Sequence, residues 1–337
     1  MRYRRKPLVF VFSFSLLILG APGNLSAAGN TVWQIGIFNQ SSHEFNSQAP
    51  VGNPNYNPVY TVDKSTANDW PARQPGSENK AEGLRPHPFT ILFNLPSNPQ
   101  GTYTLTISAL LYEPRVPYLE VAINGREGAF HFPRKLSYHA TADYGSSIDS
   151  GGEMNIVLPD SALHAGQNKL VLTALDNPKY GPGDSWFFYD ALRLSHSSEA
   201  RRFEPQVTLK PTIYYIRKDG RLDEQVRVTT NLGGKVRRGR VRLTVSGQHY
   251  KASLSPTPDF GEQRFEFLVP QLPGPTPAEL TLHANGKTVR GKVIFQPERK
   301  WKLFLVPHEH LDVGYTDYRA KVYEVYDRNM DEAEDLA

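Results

Sequence analysis

A mainly β chain, with two successive sandwiches followed by the opening of an α/β domain, is what this sequence of 337 residues predicts. Three observations carry that expectation. Apolar residues alternate with polar ones over short runs through most of the chain, the period of a strand with one face buried. Glycine and proline number 26 and 27, a density of turn-formers that suits many short strands better than a helix bundle. From residue 301 the alternation gives way to a continuous apolar run and then a helical period.

The first element is a leader. Arg2, Arg4, Arg5 and Lys6 precede the apolar run Leu8 to Ala21, and Ser26-Ala27-Ala28 follows. That order is a secretory signal peptide over residues 1–28. The run is shorter than the ~20 residues of a spanning helix, and Pro22-Gly23 breaks it. The expectation is an exported protein, periplasmic or extracellular, that meets the membrane only through its signal peptide. The leader also supplies the whole formal charge of +4; beyond it 34 basic residues face 34 acidic ones. Such a balance argues against a nucleic-acid partner held by bulk charge. With 39% hydrophobic and 21% charged residues the chain is not of the disordered class, and its length lets it build cores without cysteine, of which it has none.

Residues 29–197 read as one sandwich. Phe89, Ile91, Phe93 and Leu95 alternate with other residues, as do Tyr103, Leu105, Ile107 and Ala109. Leu119, Val121 and Ile123 continue the period up to the turn Asn124-Gly125; Met154, Ile156 and Leu158 follow, then Leu170 and Leu172, and last the aromatic run Trp186 to Leu194. Short strands with Gly, Pro and Asn between them fit two packed sheets. The polar stretch Ser195 to Pro205 reads as a linker. Residues 206–297 repeat the alternation, with Asp219-Gly220 and Asn285-Gly286 as hairpin turns. Seven or so strands in that length fit an immunoglobulin- or fibronectin-like sandwich. Its basic run Lys235, Arg237, Arg238, Arg240 and Arg242 alternates with Val236, Val241 and Leu243 and reads as a strand with outward charge that blunts aggregation.

Residues 300–337 differ. The run 301–307 (WKLFLVP) has the continuous apolarity of a strand buried on both faces. A polar loop follows, and from Asp317 the residues Tyr318, Val322, Val325, Met330, Ala333 and Leu336 recur at helical spacing, with Thr316 or Asp317 as N-cap. His308, His310 and Asp312 fall just after the strand, where α/β folds place their chemistry. Residues two apart in extended chain point the same way, so His310 and Asp312 can converge on one metal ion. One imidazole and one carboxylate suit a zinc site with open positions, and a hydrogen-bonded strand-end loop is the plainer reading of the same pair.

The stretch LFLVPHEHLDVGYTDY resembles the start of the catalytic domain of family 38 glycoside hydrolases, the retaining α-mannosidases, which open with a strand and His-x-His-x-Asp-x-Gly-Trp. The resemblance covers about 35 residues. It implies that His310 and Asp312 bind zinc and that Tyr315, which stands for the family's Trp, lies at the sugar site; Val313 replaces the usual Pro. The family's nucleophile and last His ligand lie further downstream, so no catalytic residue is assigned in this chain, which is expected to be the front of a longer enzyme and inactive alone.

A second resemblance covers about 165 residues. WQIGIFNQSSHEF (33–45), LEVAING (119–125), LHAGQNKLVLT (163–173) and FYDALRL (188–194) are similar, in that order, to the C-terminal domain of rhamnogalacturonan lyases, polysaccharide lyase family 4. It implies a jelly-roll of the galactose-binding type that holds carbohydrate. Sugar sites grip with aromatic faces, and Trp70, Tyr138, Tyr144 and Trp186 lie in or beside loops; each is also a candidate for ordinary packing. Asp190, inside an aromatic strand, reads as a structural hydrogen-bond acceptor more than a Ca²⁺ ligand. The loop Asn39 to Asn68 is long enough to be functional. The expectation is therefore a glycan-binding module joined to a zinc-dependent α-mannosidase-like domain, with zinc as cofactor and a polysaccharide as partner. The alternatives are a non-catalytic carbohydrate-binding module and a polysaccharide lyase, the last needing a catalytic domain absent here.

Overall fold

The computed structural model describes residues 30–48, 55–111, 118–132, 135–141, 145–176, 185–199, 205–255, 259–302 and 317–335. The chain is mainly β and divides into two compact units, Met1–Glu298 and Arg299–Ala337.

The first unit opens with a sandwich. Strands β1 (Asn30–Gly36), β3 (Arg73–Pro75), β5 (Thr102–Leu111), β8 (Lys135–Thr141), β9 (Gly145–Leu158) and β11 (Trp186–Ser197) form one sheet, in the order β1-β11-β5-β9-β8 with β3 added to β11. The other layer runs β7 (Arg126–His131), β6 (Tyr118–Ile123), β10 (Gly166–Leu175), β4 (Pro88–Leu95) and β2 (Val59–Thr61). The alternation read from the sequence is what buries the core: Phe89, Ile91, Phe93 and Leu95 of β4 face Leu105 and Ile107 of β5 and Leu192 and Leu194 of β11 within one apolar cluster. Because the side-chain period is two, a one-residue slip would expose the whole set, so burial fixes the register.

The second sandwich follows from β12 (Gln206–Lys218), β13 (Arg221–Leu232), β14 (Gly239–Val245), β15 (Gln248–Ser253), β16 (Phe260–Pro270), β17 (Thr276–Ala284) and β18 (Lys287–Phe295), seven strands as the spacing predicts. One layer is β12-β13-β16 and the other β15-β14-β17-β18. Asp219-Gly220 and Asn285-Gly286 make their hairpins with positive φ at both residues, 48° and 75° and then 49° and 75°. Ser246-Gly247 does the same at 49° and 75° and joins β14 to β15 in a third hairpin.

The two sandwiches share a sheet. β16 pairs in parallel with β7, Phe260 opposite Gly128 and Gly261 opposite Ala129, which joins the two layers into eight continuous strands. Phe260 is 3% exposed and belongs to the apolar cluster of the first sandwich. Its ring occupies the space a Cβ at Gly128 would need, at 2.6 Å. Gly261 has φ 108°, and a Cβ there would stand 2.6 Å from the Ala129 nitrogen, so only glycine lets the two backbones meet. Arg126 and Asp259 (3.5 Å) and His131 and Glu262 (3.2 Å) pair across the same junction.

Three expectations need correction. The proposed linker begins inside β11, where Ser195 pairs with Thr31 and Thr104. Of the basic run, Arg240 and Arg242 lie on β14, which β15 and β17 flank, whereas Lys235, Arg237 and Arg238 precede it in the loop after β13. In the second unit α1 spans Arg319–Asp335, and the first helical hydrogen bond is accepted by the Tyr318 carbonyl, from Val322. Tyr318 is therefore the N-cap, and Asp317 stands one residue outside, accepting the Tyr318 N–H at 2.8 Å. Of the helix's residues Val322 is buried, whereas Tyr323 and Met330 are exposed. Trp301 is exposed, and 303–316, most of the expected buried strand and all of its loop, lie outside the described residues.

Candidate functional site

The residues singled out from the sequence scatter. Trp70 is fully buried, its ring packed edge-on against Phe89 (5.5 Å), Tyr189 (5.3 Å) and Tyr60 (6.1 Å). No face of it is left for a sugar, so Trp70 is a core residue and not a platform. Its local sequence reads as loop; its burial comes from partners 10 to 119 positions away. Tyr138 lies on β8 opposite Ile148, with its side chain outside the described residues. Tyr144, His310, Asp312 and Tyr315 also lie outside them. Among the described residues no group of three or more His, Cys, Asp or Glu could hold a metal ion.

Trp186 is where the structure gathers polar chemistry. It opens β11, opposite Pro75 of β3, and is partly exposed. The Arg73 guanidinium stands 5.0 Å from its ring centroid, and Arg73 Nη2 lies 3.9 Å from Glu82 Oε1. Arg73 is 8% and Glu82 2% exposed, so a cation–π contact on the face of the indole and an ion pair are set together with little water around them. None of the local sequence around Arg73 announces this, since polar residues in RQPGSEN read as a turn.

A buried polar scaffold holds the arrangement. Gln74 donates to the carbonyls of His87 (2.7 Å) and Leu172 (2.8 Å) and accepts the Tyr189 hydroxyl at 2.5 Å. Asp176 accepts the Glu78 N–H (2.8 Å) and the Ser185 hydroxyl (2.5 Å), and Asn79 donates to the Ser185 carbonyl at 3.0 Å. Gly76 fits between them because a Cβ there would stand 2.1 Å from Ser185 Oγ. The loop at 76–87 is thus pinned to β11 and β10 by hydrogen bonds of Gln74, Asp176 and Asn79, and a buried network of this kind rigidifies what it holds.

His87 is buried with Nε2 2.8 Å from the Glu82 carbonyl and Nδ1 3.4 Å from the Tyr56 carbonyl. Burial, aided by Arg85 nearby, lowers its pKa from the ordinary imidazole value. Burial likewise lowers that of His131 at the sandwich junction, against the opposing pull of Glu262. A folded pKa below the unfolded one means that the unfolded chain takes up the proton first. Stability is therefore complete above about pH 6.5 and is lost as pH falls from there toward the lowered folded values. Thermal melts at pH 7.5 and 5.5 should show a lower Tm at the acid pH, and His87→Gln, which keeps a donor toward Glu82, should flatten the slope. An equal slope in His87→Gln would remove His87 from the account.

Asp190 holds a second loop. It sits at a bulge in β11 between Tyr189 and Ala191, is 2% exposed, and accepts the N–H groups of Asn39 (3.1 Å) and Ser41 (3.2 Å) and the Ser108 hydroxyl (2.6 Å). It is the structural acceptor the sequence suggested. A cavity of about 220 Å³ lies elsewhere, at one end of the second sandwich between Gly233-Gly234 and Asn285, with Lys287 its charged lining residue.

Residues 31–194 match the family model described as CBM-like, polysaccharide lyase family 4, domain III. The match runs from the first residues of β1 to the middle of β11, so it coincides with the first sandwich. A search of curated proteins finds no match. Among solved structures the chain is similar to a Ruminococcus gnavus beta-glucuronidase bound to uronic isofagomine, at 11% identity over 62% of this chain and 34% of that one, TM-score 0.19. It is similar to Parabacteroides merdae beta-glucuronidase at 13% identity over 63% and 28%, TM-score 0.21. It is also similar to a structure of the receptor tyrosine kinase Torso, at 12% identity over 62% and 69%, TM-score 0.22. The chain spans about a third of the length of the two glucuronidases.

Proposed function

We propose that the first sandwich is a glycan-binding module of the jelly-roll, galactose-binding type, and that it forms the front of an exported carbohydrate-active enzyme. The observation that carries the reading is the match of residues 31–194 to a CBM-like domain. Trp186, partly exposed and backed by the buried Arg73–Glu82 pair, is the proposed sugar contact, an aromatic surface for the apolar face of a pyranose. The domain matched is the CBM-like one of the lyase family, so it supports binding and lends no support to elimination chemistry in this chain.

The enzymatic half of the proposal rests on the likeness of 301–337 to the α-mannosidase opening. There His310 and Asp312 would supply two zinc ligands and Tyr315 a sugar contact, the remaining ligands lying beyond Ala337. Bound zinc would polarise a sugar oxygen. Two protein ligands are fewer than the three or four of a stable site, so the chain as given should not retain zinc, whereas a longer chain should, and should lose it on His310→Ala. The leader at 1–28 supports export, with an N-terminus near Gly29.

Binding is the direct test. Purified protein beginning at Gly29, screened by calorimetry against plant-wall oligosaccharides, should bind at least one, and Trp186→Ala should weaken that binding by tenfold or more in protein that still melts cooperatively. Binding unaffected by Trp186→Ala would place the sugar site elsewhere on the sandwich.

A further inference from the structure

Residues 206–297 hold 15 Lys and Arg against 7 Asp and Glu, a net charge of +8 in a chain that is neutral beyond its leader. Strand register shows where that charge goes. On the outer face of the sheet β15-β14-β17-β18, one row across the four strands is Lys251, Arg242, Thr281 and Arg290. The next row is His249, Thr244, Glu279 and Lys292, and the row on the other side is Ser253, Arg240, His283 and Thr288. The opposite parity, Val241, Leu243, Leu280 and Leu282, is buried, so the charged parity is the solvent face. Five cations and two imidazoles thus share a grid about 14 Å on a side with a single carboxylate, Glu279.

The acids of this sandwich do not neutralise it. Asp223 pairs with Arg221 (2.7 Å), Glu266 with Arg227 (3.3 Å), Glu262 with His131 and Asp259 with Arg126, and Glu224 is buried. Among the described residues Arg240, Arg242, Lys251, Arg290 and Lys292 form no ion pair. Lys235, Arg237 and Arg238 extend the patch at one end, where Asn285 Nδ2 donates to the Lys235 carbonyl and ties their loop to the β17–β18 hairpin. Arg242 directly faces Lys251, and like charges opposite one another destabilise a sheet. Lys251, Arg290 and Lys292 lie on the edge strands β15 and β18, where charge blunts edge pairing, but Arg240 and Arg242 lie on the interior strand β14, where it does not. The two interior cations, set on one face with Lys251 and Arg290, are the part of the grid that edge protection leaves unexplained, and such departures gather at functional surfaces.

We propose that this face binds an acidic polysaccharide, one bearing uronate or sulfate groups. Guanidinium and ammonium groups on a flat grid match carboxylates or sulfates repeating along a chain. The grid carries no Phe, Tyr or Trp, the large ring faces on which the bases of a single-stranded nucleic acid stack best. The choice of a glycan over other polyanions rests on the reading of the neighbouring sandwich as a glycan module, but the two surfaces share no residue.

The test is binding of protein beginning at Gly29 to polygalacturonate, to its fully methyl-esterified form, to a sulfated glycan and to duplex DNA, at 50 and 150 mM NaCl. The acidic polymers should bind with affinity that falls as salt rises, and the methyl-esterified polymer should bind at least tenfold more weakly than polygalacturonate. The triple variant R242Q/K251Q/R290Q should lose tenfold or more while its Tm stays level or rises. Trp186→Ala should leave this binding unchanged, which separates it from the sugar site of the first sandwich. Equal binding by the triple variant, tighter binding to DNA than to either acidic glycan, or no acidic-glycan binding at 50 mM NaCl would each overturn the proposal.

Discussion

Phe260→Ala should cost about 3–5 kcal/mol, the price of a large aromatic removed from a close-packed core, and the loss should fall on the first sandwich although Phe260 belongs to the second. The ring is 3% exposed, lies 5.8 Å from Phe130, and fills the space over Gly128. The second sandwich keeps its own clusters, around Val226, Val241 and Leu280 and around Leu254 and Leu282, and Phe260 is in neither. Calorimetry of residues 29–298 should therefore show the transition of the first sandwich move down by several degrees and separate from that of the second. A variant with the wild-type Tm would mean that the parallel pairing of β7 and β16 contributes contact without stability. The same logic bears on a protein cut at residue 197. Its strands close two layers without help, but the pocket over Gly128 and Phe130 would open to water, so it should melt below the intact pair.

That junction was not legible in the sequence, and the reason is physical. Alternation reports which face of a strand is buried and nothing about what buries it. Phe89 to Leu95 and Leu119 to Ile123 could be read because each is half-buried with a period of two, and Tyr103 to Ala109 because its residue types alternate, although Thr106 and Ser108 between them are buried too. The order of strands could not, so the interior place of β14 between β15 and β17 was hidden. The polar scaffold around Gln74 was hidden for a related reason: its partners His87, Leu172 and Tyr189 lie 13, 98 and 115 residues away. Trp186 was found because a Trp beside a loop is visible locally; Arg73 and Glu82, which complete its surroundings, were not. Trp70 misled because a large aromatic in a loop-like stretch looks the same whether it ends in solvent or among Tyr60, Phe89 and Tyr189.

Asp190→Ala should be the second large effect, about 2–5 kcal/mol, because one carboxylate satisfies three donors at once. Oδ1 takes the N–H groups of Asn39 and Ser41, and Oδ2 takes the hydroxyl of Ser108, itself 8% exposed. Alanine leaves the Ser108 hydroxyl buried without this acceptor and frees the start of the loop after β1. That loop is otherwise held by the Glu44 carboxylate accepting the Ile37 N–H at 2.8 Å and by Arg193 over the Phe38 ring. Gly36 turns into it at φ 77°, where a Cβ would meet the Asp190 carbonyl at 2.8 Å, so the backbone of Asp190 constrains the turn as its side chain does. The expected result is a lower Tm together with new proteolytic cleavage between residues 37 and 46. Asp190→Asn, which keeps one acceptor oxygen, should fall between the variant and the wild type. Calcium or EDTA should leave all three melts where they are, since the carboxylate is already occupied by donors. A melt of Asp190→Ala within about 0.5 kcal/mol of wild type would show that the loop is set by Gly36 and Glu44 alone, and a calcium-dependent Tm would make Asp190 a metal ligand instead.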